Sequence, residues 1–202
     1  MKQQVVFITG ATAKENYKSY YSFLETRVEY NPYEPEFKNW NKTLWEKLWD
    51  NYEYLVAPVK EHARYADYEA WKILFEKMLP YFREDVFIVT TSLGCSFILK
   101  YLWENDIPIR IKKLFFVAPA IYSTPYESLG SFQFDIDMVY TRVARVTDQI
   151  YIYHSRDDDS VPFEQGLELN TYFPDSVFRE FDNKGHFYGE AEFPELLEDI
   201  KN

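Results

Sequence analysis

Short apolar runs alternate along the chain with stretches in which apolar residues recur every three or four positions. Six of these runs are rich in β-branched and aromatic residues, as strands are: residues 5–9, 54–57, 86–90, 114–118, 150–154 and 177–181. Helical spacing predicts helices around residues 71–78 and 97–102. Strands that alternate with helices form a mostly parallel sheet covered on both faces, so the pattern predicts an α/β fold.

Two segments fit this alternation less well. Residues 16–49 are predicted to hold helices, with apolar positions at helical spacing in residues 44–49, around a loop marked by two prolines in residues 31–35. In residues 120–147, proline and glycine precede a second helical pattern. We expect this second segment to cover a pocket at the carboxyl ends of the strands, where open α/β folds bind ligands. An ordinary connection with a covering helix is the alternative.

Length and composition point to one globular domain over residues 1–202. The chain is 47% hydrophobic and 20% aromatic, which is typical of a packed core. Its formal net charge of -11 disfavours nucleic acid and anionic membrane surfaces as partners. The sole cysteine, Cys95, can form neither an intrachain disulfide nor a cysteine-based metal site, and this favours a reducing compartment.

No apolar run has the length of a signal peptide or a membrane span, so the sequence predicts a cytoplasmic protein. A small molecule is the expected partner. The sequence leaves open a protein partner and the choice between monomer and homodimer.

The most informative segment is the buried strand 86–90, which runs directly into a helical pattern with Ser92 at the bend. A serine on such a bend exposes its hydroxyl, and the backbone N–H groups that follow it can stabilise an oxyanion. Gly94 would let the helix pack closely against the strand. We therefore predict that Ser92 is a nucleophile, although serine is also a favoured helix N-cap.

Two further segments supply an acid and a histidine that could act together with Ser92. Asp158 lies in a loop after the strand 150–154, and His186 follows Gly185 just after the last strand. The chain order Ser, Asp, His is the one that α/β hydrolases use. In this hypothesis His186 is the general base and Asp158 orients it. A run of three aspartates is usually a solvated loop, but Val161-Pro162 favours the middle one.

These motifs resemble those of the small α/β hydrolases of the retinoblastoma-binding-protein-like family. The resemblance rests on Ser92-Leu93-Gly94, on Asp158 three residues before Val161-Pro162, and on Gly185-His186-Phe187, and it extends over nearly the whole chain. It implies an α/β-hydrolase fold with a six-stranded parallel sheet in the order 2-1-3-4-5-6 and helices on both faces.

The same resemblance implies hydrolysis of an ester, thioester or amide, with the backbone N–H groups of Ala11 and Leu93 as the oxyanion hole. Some members are binding proteins rather than enzymes, so a weak or inactive interaction module is the alternative function. The commonest family form has Gly and His where this chain has Thr90 and Thr91. How these threonines affect activity is left open.

Other interpretations are disfavoured. A dinucleotide-binding protein needs further glycines close behind Gly10, and none follows. Cys95 lies within the predicted helix rather than at its bend, which indicates packing. The acidic run lacks the spacing of a calcium loop, so we predict no metal. We predict no cofactor either, because a serine hydrolase mechanism needs none. The remaining histidines, His62 and His154, are interpreted as structural.

Overall fold

Six strands form one parallel sheet in a computed structural model that describes residues 1–14, 16–26, 39–59, 65–125 and 128–202. The strands are β1 (Gln3–Ile8), β2 (Tyr52–Val56), β3 (Val86–Thr91), β4 (Ile111–Val117), β5 (Thr147–Ser155) and β6 (Val177–Phe181). Their order is β2-β1-β3-β4-β5-β6, and every neighbouring pair is parallel. The sheet order confirms the predicted fold.

The helices are α1 (Tyr17–Thr26), α2 (Trp40–Leu48), α3 (Tyr68–Glu76), α4 (Leu93–Glu104), α5 (Ile136–Val146), α6 (Phe163–Tyr172) and α7 (Pro194–Lys201). Short 3-10 turns cover Leu79–Tyr81 and Gly130–Phe132. None of the helices in the described ranges is long and apolar enough to cross a bilayer.

Two hydrophobic cores lie on opposite faces of the sheet, because successive strand residues point to opposite sides. Val6, Ile88 and Phe116 belong to the core that α3, α4, α5 and α6 cover. Val5, Val89 and Phe115 belong to the other core, which α2 and α7 cover. Since both faces are buried, the central strands are nearly continuous apolar runs, and this is why the sequence predicts them well.

The chain reverses its direction of travel across the sheet between β1 and β3. It goes from β1 to the edge strand β2, then crosses to β3 and proceeds through β4 and β5 to β6. Open α/β sheets bind ligands at the carboxyl ends of the strands that flank such a reversal. The functional residues predicted from the sequence follow β3, β5 and β6, at that same edge.

The start of β4 differs from the prediction because a polar residue is paired in the interior. β4 begins at Ile111, three residues before the predicted run, and it includes the buried Lys113. The Lys113 ammonium donates to the Asp199 carbonyl at 2.8 Å and lies 5.1 Å from the centre of the Phe87 ring. These long-range contacts satisfy a lysine that appears in the sequence only as a polar interruption.

The segments that fitted the alternation poorly do contain helices. α1 and α2 lie within residues 16–49, whereas the predicted loop at residues 31–35 lies outside the described residues. In residues 120–147, α5 packs Val139 and Val143 into the core beside α4. Its role as a pocket cover stays a prediction.

Gly94, the second residue of α4, sets the distance between this helix and β1. A Cβ at residue 94 would lie 2.7 Å from the carbonyl oxygens of both Ile8 and Thr9, closer than real Cβ atoms come. Backbone carbonyls at a strand end cannot move aside as a flexible side chain can. The helix therefore packs at this distance only with glycine at residue 94.

We expect Gly94→Ala to lower the free energy of unfolding by roughly 1–3 kcal/mol, the usual cost of overpacking a tight interior. Gly189→Ala is the matched control, because a Cβ at residue 189 would meet no atom within 4 Å. Urea unfolding of both variants measures the effect. Equal stability of the two variants would contradict the packing account.

Candidate functional site

Ser92 lies at the bend between β3 and α4 with φ 50° and ψ -122°, a backbone conformation that non-glycine residues rarely adopt. Its N–H donates to the Val117 carbonyl at 2.9 Å, and its carbonyl accepts from the Cys95 N–H at 2.9 Å. The hydroxyl makes no capping hydrogen bond to the helix. The alternative interpretation of Ser92 as a side-chain N-cap therefore finds no contact to support it.

Thr90 is fully buried beneath the bend and is held by hydrogen bonds. Its hydroxyl lies 2.9 Å from the Phe115 carbonyl, to which it donates, and 3.2 Å from the Cys95 sulfur. The branched side chain thus has a satisfied place between strands. Burial raises the pKa of Cys95 to about 12, and the contact with Thr90 offsets only part of this increase. A buried thiol with this pKa is a packing residue, as the sequence predicts.

Thr91 connects the serine bend to the turn after β1. The Gly10 N–H donates to the Thr91 hydroxyl oxygen at 2.6 Å. A Cβ at residue 10 would lie 2.9 Å from the Ser92 Cβ, so the two turns are in close contact. The Thr91 side chain therefore fixes the position of the β1 turn.

His186 contacts Asp158 through one ring nitrogen. Its Nδ1 lies 2.9 Å from Oδ1 and 2.8 Å from Oδ2 of that carboxylate. The Asp158 side chain is fully buried, and the His186 side chain is 3% exposed. The structure thus brings together two residues that are 28 positions apart and that the sequence predicted as partners.

Four described groups surround the Asp158 carboxylate. Oδ1 accepts from the backbone N–H groups of Ser160 at 2.9 Å and Val161 at 2.8 Å. Besides His186, the Nε2 atom of His154 lies 3.3 Å from Oδ2. Burial alone would raise the pKa of Asp158, but the hydrogen bonds from His154 and His186 outweigh it and hold the pKa well below its usual range. Asp158 is therefore ionised throughout the physiological pH range.

The neighbouring aspartates have different surroundings. Asp159 is exposed, and its carboxylate accepts from the Ser160 hydroxyl at 3.3 Å. Asp157 accepts from the Ser155 hydroxyl and from the Gly185 N–H at 2.9 Å, and these contacts lower its pKa. A run of three aspartates is usually a solvated loop, but here the contact of Asp157 with Gly185 connects the acidic loop to the loop that carries His186.

Ser92 and His186 line the same cavity, at the carboxyl ends of β1, β3 and β4. Its volume is about 130 Å³, and its other described lining residues are Phe7, Thr9, Gly10, Asn39, Trp40, Asn41, Thr91, Val117, Ala118, Phe187 and Tyr188. In the described part of the chain, four non-glycine residues have positive φ, and three of them (Ser92, Ala118 and Phe187) line this cavity. Strained backbone of this kind concentrates at functional sites.

The predicted backbone donors lie next to cavity residues. Leu93 follows Ser92 and is the first residue of α4, where an N–H group has no acceptor within the helix. Ala11 follows Gly10, which lines the cavity. Within the described ranges no three His, Cys, Asp or Glu side chains are grouped so that they could hold a metal ion. His62 lies outside the described residues.

A family model described as "Serine hydrolase" matches residues 33–201, so the chain belongs to the serine hydrolase family. The protein is therefore a hydrolase with the α/β-hydrolase fold. No curated protein sequence is significantly similar to it.

Solved structures share the fold at low sequence identity. The ydeN gene product from B. subtilis is 19% identical, with a TM-score of 0.77 over 99% of this chain and 97% of that one. Est1E from Butyrivibrio proteoclasticus is 15% identical, with a TM-score of 0.62 over 99% and 86%. The esterase domain of a Rhodothermus marinus protein is 13% identical, with a TM-score of 0.58 over 94% and 79%.

We expect Thr91→Val to release the β1 turn, because valine keeps the shape of threonine and lacks the oxygen that accepts from Gly10. Loss of about 1 kcal/mol of hydrogen-bond energy would make amide hydrogen exchange at Gly10 roughly fivefold faster. Thr91→Ser is the control that retains the acceptor. NMR-detected exchange measures both variants, and unchanged protection of Gly10 in Thr91→Val would contradict this role.

Proposed function

We propose that this serine hydrolase cleaves an ester, thioester or amide of a small neutral substrate through an acyl-enzyme on Ser92. The observation that carries the proposal is the contact of His186 Nδ1 with the buried Asp158 carboxylate, at 2.8 Å, while the same histidine lines the cavity that contains Ser92. A nucleophile, a base and an orienting acid are thus available at one edge of the sheet.

Hydrogen bonding to Asp158 assigns the protons of His186 in this proposal. A carboxylate only accepts, so Nδ1 carries the hydrogen and Nε2 keeps a free electron pair. Nε2 takes the Ser92 proton as the oxygen attacks the substrate carbonyl, and it then gives that proton to the leaving group. Water repeats the exchange and releases the acyl group, so the enzyme is regenerated without a cofactor.

The oxyanion of each tetrahedral intermediate would lie against the N–H groups of Leu93 and Ala11. The position of Leu93 at the start of α4 supports this role, since the helix dipole adds to the hydrogen bond there. The Gly10–Thr91 contact supports the role of Ala11, because it holds the turn on which Ala11 lies.

The cavity supports a short, uncharged acyl group. None of the described lining residues is Lys, Arg, Asp or Glu, so none of those side chains would balance an ionic substrate. Aromatic walls such as Phe7 and Trp40 suit apolar groups, and Asn39 and Asn41 at the rim supply polar contacts. A volume of about 130 Å³ fits a short acyl chain better than a fatty acyl chain.

The narrower resemblance to the retinoblastoma-binding-protein-like hydrolases is also part of this proposal. It is supported because its serine and histidine motifs line one cavity and its aspartate contacts the histidine. The cytoplasmic location stays a prediction, as does the single domain over residues 1–202.

We expect Ser92→Ala to abolish labelling by a fluorophosphonate probe and the turnover of p-nitrophenyl butyrate. The reason is that Ser92 lies at the bend between β3 and α4 and lines the same cavity as His186. Gel detection of the probe and release of p-nitrophenol measure the two effects. The thermal midpoint should change little, because the serine hydroxyl makes no capping contact.

Cys95→Ala is the control for thiol chemistry and should keep labelling and turnover within a few-fold of the wild type. Labelling that persists in Ser92→Ala would overturn the nucleophile assignment. A wild-type protein that binds no probe and turns over no ester would favour the interaction module instead.

Substitution of each of the three adjacent aspartates tests which of them orients His186. Asp158→Asn should reduce turnover by on the order of 10⁴, the scale known for loss of the orienting carboxylate in a serine triad. Asp159→Asn should keep wild-type turnover because that side chain is exposed. Asp157→Asn retains an oxygen for the Gly185 N–H and should fall between them. The turnover of the three variants is measured in parallel. The assignment of Asp158 as the orienting acid fails if Asp158→Asn is not the slowest of the three.

A further inference from the structure

A second histidine contacts the acid in addition to His186. His154 is the penultimate residue of β5 and is fully buried. Its Nε2 lies 3.0 Å from the Val161 carbonyl oxygen and 3.3 Å from Oδ2 of Asp158. Both neighbours are acceptors, so Nε2 must carry a hydrogen, which it donates to the Val161 carbonyl while it lies within ion-pair distance of the carboxylate.

The surroundings of the other ring nitrogen, Nδ1, identify the tautomer of His154. Nδ1 is buried and has no hydrogen-bond partner among the described residues. A hydrogen on Nδ1 would be a donor removed from water without an acceptor, which is costly. His154 is therefore the neutral tautomer with its hydrogen on Nε2.

The surroundings of His154 hold its ring in one orientation. A Cβ at residue 166 would lie 2.4 Å from Nδ1 and 3.0 Å from Cγ, so the ring fits only because α6 has a glycine there. The Phe163 ring packs edge-on at 5.6 Å between ring centres. A ring clamped in this way keeps Nε2 close to the carboxylate.

We propose that His154 is a positioning residue that acts on His186 through Asp158, a role that rests on the proposed function. Oδ1 has two backbone donors, whereas Oδ2 is contacted only by the two histidines among the described groups. The His154 N–H holds Oδ2 in place and withdraws negative charge from it. It thereby sets both the orientation of His186 and the strength with which the carboxylate attracts a proton to that ring.

Other ionisable groups around the pair are directed elsewhere. Asp157 accepts from Ser155 and Gly185, and Asp159 is exposed. Lys184 pairs with Glu190 at 2.6 Å. On the neighbouring strand ends, Arg156 pairs with Glu180. The ring of Tyr188 packs against His186 at 4.6 Å between centres. The two histidines are thus the described titratable groups in direct contact with the Asp158 carboxylate.

The test compares His154→Phe, which keeps an aromatic ring and loses the donor, with His154→Gln, whose amide retains one. We expect His154→Phe to lower kcat/KM for p-nitrophenyl butyrate about tenfold and to move the acid limb of the pH–rate profile to higher pH. The direction follows because a carboxylate with one donor fewer attracts the proton of His186 more strongly. His154→Gln should restore most of the rate and the wild-type limb.

Tyr153→Phe is the matched structural control. Tyr153 precedes His154 on β5, is equally buried, and donates to Asp199 at 2.7 Å on the other face of the sheet. Loss of the Tyr153 hydroxyl should lower the thermal midpoint without moving the acid limb of the pH–rate profile. Fluorophosphonate titration of active serines corrects every rate for the folded fraction.

The proposal is overturned if the acid limb of the pH–rate profile stays at its wild-type position in His154→Phe. It is also overturned if this limb moves as far in Tyr153→Phe as it does in His154→Phe. If His154→Phe does not fold, the imidazole ¹⁵N spectrum of the wild type decides. The neutral Nε2–H form at pH 6–8 supports the proposal, and a hydrogen on Nδ1 overturns it. Absent turnover in the wild type would instead refute the proposed function itself.

Discussion

A carboxylate that is removed from water must be surrounded by donors, and the arrangement around Asp158 follows from this requirement. Its side chain is fully buried, and the groups around it come from three places: the next residues of its own loop, the loop after β6, and the end of β5. Each donor also fixes the segment that supplies it. The orientation of His186 is therefore a consequence of how a buried charge is satisfied.

A second constraint acts at the reversal between β1 and β3. The start of α4 lies against the carbonyl oxygens of Ile8 and Thr9, and the Gly10 turn lies against Ser92. Tight packing of these backbones accommodates the strained bend at Ser92, since a residue with φ 50° persists only where its surroundings determine it. The close packing that forms the fold thus also places Ser92 at the cavity wall.

Much of this architecture is predictable because a buried parallel strand is a continuous apolar run whatever surrounds it. The six strands, the bend at Ser92 and the choice of Asp158 by its distance from Val161-Pro162 all follow from local patterns. The inclusion of Lys113 in β4 does not, because its acceptor is 86 residues away. The contact of Asp157 with Gly185 and that of Thr91 with Gly10 are long-range for the same reason.

His154 shows this limit most clearly. In the sequence it is a histidine at the end of a strand, for which a structural role is the simplest interpretation. Its relation to Asp158 depends on the glycine at residue 166, which makes room for the ring, and on the loop that turns the carboxylate back toward β5. Neither condition has a local signature in the sequence.

Hydrogen bonding of the sheet continues past the strand ends into the functional loops. The Ser92 N–H donates to Val117 at 2.9 Å, the Ala118 N–H to Tyr153 at 2.8 Å, and the Arg156 N–H to Phe181 at 2.7 Å. These bonds link the segments that carry the serine, the acid and the histidine through β4 and β5. Sites built on regular elements keep their geometry better than sites on free loops. The positions of Ser92 and His186 relative to the sheet therefore follow from the strands that precede them, and solved structures share this fold at 19% identity or less.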